Sequence, residues 1–370
     1  MTIKRVLTLV SIPVLLFVAF LIGLAVWVSG GSGQNASDFI PEELDNTPYR
    51  TYEAVVPDSP LTLRHFVSEL EEINVSSSMI MGEREMVLVA TQATKLAAER
   101  LADEIEKTGL NLSIVYLGHA HLDHSQGASV LKRRFPKARF LAAPRVSELQ
   151  KLRMGSDDER AIGRFGDNAA VPSVPFEPLD SKVIMLEGRE IQLWHDHYGD
   201  VGLGHHDEPH TVVYIPDLKA LLPNDILYYD AHIMMGGSTP ENRAKWKAQI
   251  REWMKMDIAV AIPGHVPRKS TAHMTPKGVF EHSLNYIEAY EEALASSETS
   301  EQVINKMLQR YPGMEHTSAL YMGTYINFQE IHKLMNNPRL ELVASYLPSD
   351  FVRWADQQLF EASKDAANPH

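Results

Sequence analysis

One short stretch limits what this chain can fold into more than any other. The apolar run Leu112–Leu117 reads as a buried strand. It passes straight into Gly118-His119-Ala120-His121-Leu122-Asp123-His124. With 16 histidines in 370 residues, an H-x-H-x-D-H pattern arises by chance with a probability of roughly 0.002. Residues two apart in an extended segment point the same way, so His119 and His121 can grip one ion. Asp123 and His124 lie past the bend and can face a second. Imidazole together with carboxylate suits zinc, and also iron, manganese or cobalt. The plain alternative is an exposed histidine-rich loop that binds nothing, and candidate ligands further along the chain count against it.

Around this loop, strand-like and helix-like runs alternate. Ser78–Met81 and Met86–Ala90 read as a strand pair with a turn at Gly82–Arg84. Gln92 to Thr108 has helical spacing through Ala93, Ala97, Leu101 and Ile105. Ser129–Phe135 and Val146–Met154 read as short helices flanking a strand at Arg139–Ala142. Further strands are expected at Lys182–Leu186, Glu190–Trp194, Thr211–Ile215, Ala220–Leu222 and Ile258–Ile262. Glu241 to Met256 reads as an amphipathic helix with Trp246, Ile250 and Met254 on one side. After Pro267 the pattern turns helical, over Gly278–Ser296, Ser300–Arg310, Ser318–Asn336 and Ser349–Ala362. This order indicates a layered α/β core with a C-terminal helical extension. The aromatic and methionine stripe of that extension (Tyr286, Tyr290, Met307, Tyr321, Tyr325, Phe328) is expected to be core, and the helices to pack as a lid or as a homodimer face.

The N-terminus carries a different signal. Val6 to Val28 is 23 residues without a charge, long enough to cross a bilayer. Lys4 and Arg5 precede it and no basic residue follows until Arg50, which places the N-terminus in the cytoplasm and the body outside it. A cleaved signal peptide, with a secreted product, is the competing reading. Ser29 to Pro60 reads as a tether with little structure. The expected organisation is therefore residues 1–30 as anchor or signal, 31–60 as linker, 61–270 as catalytic domain and 271–370 as helical extension.

The residues now on the page resemble those of the metallo-β-lactamase superfamily, over about Val75 to Pro267. The resemblance implies an α/β fold, the αββα four-layer sandwich. It also implies two divalent metal ions, zinc first, with iron, manganese or cobalt as alternatives. In that family the H-x-H-x-D-H loop is followed by a further His, a bridging Asp and a final His. His206-Asp207-Glu208-Pro209-His210 before Thr211–Pro216 resembles the family's G-H-T-P-G-H segment, with His206 at the ligand position when aligned on Tyr214-Ile215-Pro216. His205 stands in place of the usual Gly and Glu208-Pro209 in place of Pro-Gly, so His205 or His210 remains an alternative ligand. Asp225 matches the bridging carboxylate, with Asn224 where the family has Gly. Pro263-Gly264-His265 matches the last ligand segment. The resemblance thus assigns His119, His121 and His206 to one metal, Asp123, His124 and His265 to the other, and Asp225 to both.

Such a pair of ions implies hydrolysis in which a metal-bound hydroxide attacks an electrophilic carbonyl, with Asp123 able to shuttle a proton to the leaving group. Composition narrows the substrate. Lys+Arg is 35 against 48 Asp+Glu, a net charge of −13, which disfavours nucleic acid because phosphate contacts need clustered cations. There are no cysteines, so thiol catalysis, disulfides and Cys-ligated metal are excluded. Dedicated β-lactamases of the family carry Cys or Ser where Asp225 stands. Tyr228, three residues after Asp225, matches an offset found in lactonases of the family, where a phenol supplies oxyanion stabilisation; the alternative is a packed aromatic. The expectation is therefore a small-molecule lactone or other carboxylic ester. The alternatives are a β-lactam, thioester, sulfate ester or phosphodiester hydrolase, or a non-catalytic metal-binding member. His195, Asp196, His197 and Tyr198 are expected to line the site mouth, and Met234–Thr239 either to border an apolar pocket or to form an ordinary loop.

Overall fold

The structure, a computed structural model, describes residues 52–54, 59–69, 72–202, 208–330, 333 and 355. The apolar segment Val6–Val28, His205 and His206 lie outside the described residues, as does nearly all of Ser349–Ala362.

Period-two alternation sets the layers. The first sheet runs β1 (Tyr52–Ala54), β2 (Thr62–Val67), β3 (Ser76–Met81), β4 (Glu85–Val89), β5 (Asn111–Leu117), β6 (Arg139–Ala142) and β7 (Glu177–Pro178), in that spatial order. It is antiparallel from β1 to β4 and parallel from β4 onward. The second sheet has the order β12-β11-β10-β9-β8, built from β8 (Val183–Leu186), β9 (Arg189–His197), β10 (His210–Ile215), β11 (Ala220–Tyr228) and β12 (Val260–His265). Along β4, Val87 and Val89 point inward to meet Ile191, Val213 and Leu222 of the second sheet. Met86 and Leu88 point outward, against Leu101 and Ile105 of helix α1 (Lys95–Thr108). The second sheet turns Leu221 and Ile226 outward onto Trp246 and Ile250. The result is the expected αββα sandwich, with both faces of each sheet apolar as buried layers require.

Local signals explain where the helices begin. Thr94 caps α1 by accepting from the Ala97 amide, and Gly109 ends it with φ 71. The short α2 (Leu122–Ser125) and α3 (Ala128–Arg134) follow β5. Pro144 opens α4 (Pro144–Phe165). Thr239 caps α5 (Pro240–Trp253), and Thr275 caps α6 (Pro276–Ala295). Helices α7 (Ser300–Arg310) and α8 (Thr317–Asn327) complete the C-terminal layer, in which Tyr286, Tyr290 and Met307 are core as expected.

Several sequence expectations need correction. The helix read as Val146–Met154 runs on to Phe165, straight through Gly155 and Gly163, because no proline interrupts it and its inner face, Ala161 included, stays buried. On α5 it is Trp253, not Met254, that joins Trp246 and Ile250 in the core; Met254 is 40% exposed. The expected tether contains β1, which pairs with β2. Strand β11 extends to Tyr228, well past the expected Leu222, and so carries Asp225 and Tyr228 within the sheet.

Candidate metal centre

The centre lies where β5, β11 and β12 end together. His121 is the residue before α2, and Asp123 and His124 sit on that single turn, so the H-x-H-x-D-H loop bends as soon as the strand stops. Asp225 comes from β11 and His265 from the end of β12. Two close approaches make this geometry feasible. A Cβ on Gly264 would lie 1.8 Å from Asp225 Oδ1, so only glycine lets the carboxylate stand beside β12. A Cβ on Gly118 would lie 1.9 Å from Asn224 Nδ2. Asn224 has φ 52, a left-handed conformation that asparagine tolerates, and its amide donates to the Thr211 carbonyl at 2.9 Å. That explains how Asn can stand where a glycine is usual.

Two groups of side chains could each hold an ion, with all ligand atoms of a group within 4.8 Å of one another. They are His119, His121, Asp200 and Asp225, and Asp123, His124, Asp225 and His265. Asp225 belongs to both. Its Oδ2 is 3.2 Å from His119 Nε2 and 3.3 Å from His265 Nε2, and its Oδ1 is 3.0 Å from His124 Nε2. Asp123 Oδ2 lies 3.3 Å from His265 Nε2 and 3.5 Å from His124 Nε2. Six of the seven expected ligands are therefore brought together, and His206 lies outside the described residues.

The donor set fits cations. His265 Nδ1 donates to the Ile73 carbonyl at 2.8 Å, which turns the Nε2 lone pair inward. There it meets His124 Nε2 at 3.4 Å and two carboxylate oxygens. Lone pairs converging in a buried space call for a positive charge between them. Burial pulls the His119 imidazole down to about 3, so it is neutral and free to ligate.

Sequence reasoning missed four residues here. Asp200 sits in the loop after β9, its Oδ2 3.6 Å from His121 Nδ1, and joins the first group. Glu208 Oε1 lies 3.4 Å from His121 Nε2, within ion-pair distance. Arg153 of α4 holds Glu208 by two parallel bonds of 2.9 Å, both side chains buried. His316, ahead of α8, stacks on His265 at 4.7 Å and donates through Nδ1 to the His232 carbonyl. These are single residues far apart in sequence, with no motif spacing to betray them.

The remaining expectations divide. His210 stacks on His119 at 4.6 Å, but its Nε2 donates to the Asp200 carbonyl at 2.7 Å and it joins neither group. His195, Asp196 and His197 belong to β9 and do not line the cavity beside the centre; His197 stacks on Trp253 at 5.5 Å. Tyr198 is likewise absent from the cavity wall and lies under the Lys245 ammonium. Tyr228 does line the cavity. It is fully buried, its ring stacks on His265 at 5.2 Å, and its hydroxyl donates to Asp200 Oδ2 at 3.1 Å. The cavity is about 300 Å³, and Met234 and α8 supply part of its wall.

A family model described as "Metallo-beta-lactamase superfamily" matches residues 89–265. No curated protein matches the chain. Among solved structures, a metallo-beta-lactamase from Pontibacter korlensis is 14% identical, covering 65% of this chain and 99% of that one, with TM-score 0.45. A metallo-beta-lactamase family protein from Thermus thermophilus is 16% identical, covering 76% and 93%, with TM-score 0.47. A beta-lactamase domain protein from Burkholderia ambifaria is 14% identical, covering 80% and 91%, with TM-score 0.48.

Proposed function

Since residues 89–265 form a metal-dependent hydrolase domain of the metallo-β-lactamase superfamily, we propose that this protein hydrolyses a lactone or another carboxylic ester. Two divalent ions, zinc foremost, would supply an activated water at neutral pH and polarise the scissile carbonyl. His119, His121 and Asp200, with His206 as a further candidate, would hold one. Asp123, His124 and His265 would hold the other, and Asp225 both. The Ile73 carbonyl keeps the His265 ring in its ligating orientation. Asp123 lies at the cavity wall, where its free oxygen is placed to pass a proton to the leaving group.

The observation that carries the ester reading is Tyr228. Burial and the neighbouring Asp200 charge raise its phenol well above its ordinary value, so it remains a hydrogen-bond donor throughout the neutral range. It lines the cavity beside both ligand groups, and its hydroxyl proton goes to Asp200; with Asp200 turned to an ion, that proton would be released to the oxyanion of an attacked carbonyl. Ile73, Leu122, Met234, Ala319 and Met322 give part of the wall an apolar surface that suits an acyl chain. We also infer that Val6–Val28 anchors the chain in a membrane with the catalytic domain outside the cytoplasm.

The test is a panel on the zinc-loaded full chain in detergent: an acyl-homoserine lactone, an aryl ester, a thioester, a β-lactam, a sulfate ester and a phosphodiester. Metal-dependent opening of the lactone or aryl ester supports the reading. Turnover confined to one of the other classes overturns it.

A further inference from the structure

Helix α4 lays a charged stripe along the cavity. Arg153, Asp157, Arg160 and Arg164, spaced at helical intervals, all contribute to its wall. Two of the three arginines have a carboxylate partner. Arg153 is held by Glu208, and Arg160 by Asp157. Arg164 differs: among the described residues no carboxylate lies within ion-pair distance, and its guanidinium instead lies 5.4 Å over the Phe165 ring. It shares the cavity wall with Asp123, His265 and His316. The same cavity also has apolar wall residues, Ile73, Leu122, Met234, Ala319 and Met322.

An arginine with a partner already satisfied adds little to recognition. One that enters the cavity wall with no carboxylate, backed by an aromatic ring, presents its planar donors to whatever fills the space. We propose that Arg164 selects substrates that carry an oxyanion group, a carboxylate foremost, on an apolar body whose scissile ester lies at the ligand groups. The apolar body rests on the Met234 and Met322 side, and the anionic end pairs with the Arg164 guanidinium. Arg164 is thus a specificity-determining residue; in naming a substrate the inference rests on the ester-hydrolase reading, whereas the anion site itself does not.

Two measurements on the zinc-loaded full chain separate those dependencies. The first compares kcat/KM for para-acetoxybenzoate and its methyl ester, which share one scissile ester and differ by one charge. The second measures Kd for para-ethylbenzoate, an anion that cannot be hydrolysed, by calorimetry. In Arg164→Gln the preference for the charged ester is expected to fall roughly ten- to a hundredfold, as for one charge-assisted pair, and the Kd to rise by a similar factor. Arg164→Lys should recover part of both, because it restores the charge without the fork. If neither ester is hydrolysed yet the Kd rises, the anion site stands and the ester reading falls. A Kd unchanged in Arg164→Gln overturns the proposal, whatever the esters do.

Discussion

Replacing Gly264 with alanine tests the architecture of the centre with a single methyl group. An ideal Cβ there would lie 1.8 Å from Asp225 Oδ1 and 2.9 Å from the Asp225 amide nitrogen. Carbon and oxygen in contact sit well beyond 3 Å, so the carboxylate or β12 must shift by about 1.5 Å. Neither has room. Asp225 is 1% exposed and enclosed by His119, His124 and His265, and β12 is fixed in parallel pairing with β11. Ligand distances in metal sites tolerate about 0.2 Å, so such a shift removes Asp225 from both groups at once. The expected stability cost is about 1–3 kcal/mol, typical of overpacking, which leaves the sandwich folded. The expected loss of metal affinity is at least about ten- to a hundredfold. Dialysis of Gly264→Ala against graded zinc buffers, followed by metal analysis and a melting curve, reads both quantities. Wild-type affinity in a folded variant would refute the claim that Asp225 bridges the two groups.

Other perturbations probe separate parts of the account. Tyr228→Phe should lower ester turnover by about ten- to a thousandfold with metal content unchanged, as expected for one lost oxyanion donor; an unaltered rate removes the phenol from the chemistry. Arg153→Met strands the Glu208 carboxylate in a buried site and should cost about 3–5 kcal/mol in urea unfolding, whereas a loss near zero would mean water reaches that pair. His65 is pulled down by burial from 6.5 to about 4. The unfolded chain therefore binds the extra proton first, and stability falls as pH drops from 6.5 toward 4, by up to roughly 3 kcal/mol. His65→Leu should flatten that acid limb, and an identical slope in the variant would count against a neutral buried imidazole.

The layers were legible in the sequence because buried strands and capped helices leave periodic traces. Ser78–Met81, Leu112–Leu117 and Arg139–Ala142 all fall where their apolar runs place them. The ligand loop was legible for a similar reason, since four candidate ligands, His119, His121, Asp123 and His124, fall within one short segment. What stayed hidden depends on tertiary placement. Asp200 and Glu208 look like loop acids until the fold carries them to His121. Arg164 lies beyond the expected end of its helix, and only the full length of α4 carries it to the cavity wall. Trp253 replaced Met254 in the core because helix orientation, not hydropathy, decides which of two adjacent apolar residues turns inward.

One carboxylate, Asp225, belongs to both candidate ligand groups and is placed to organise two metal sites. The most direct measurement is metal stoichiometry per chain, by elemental analysis of the zinc-loaded full chain and of Asp225→Ala after identical dialysis. About two ions per wild-type chain are expected, with a fall to one or none in the folded variant. Two ions retained by Asp225→Ala, or none held by the wild type, would contradict that role.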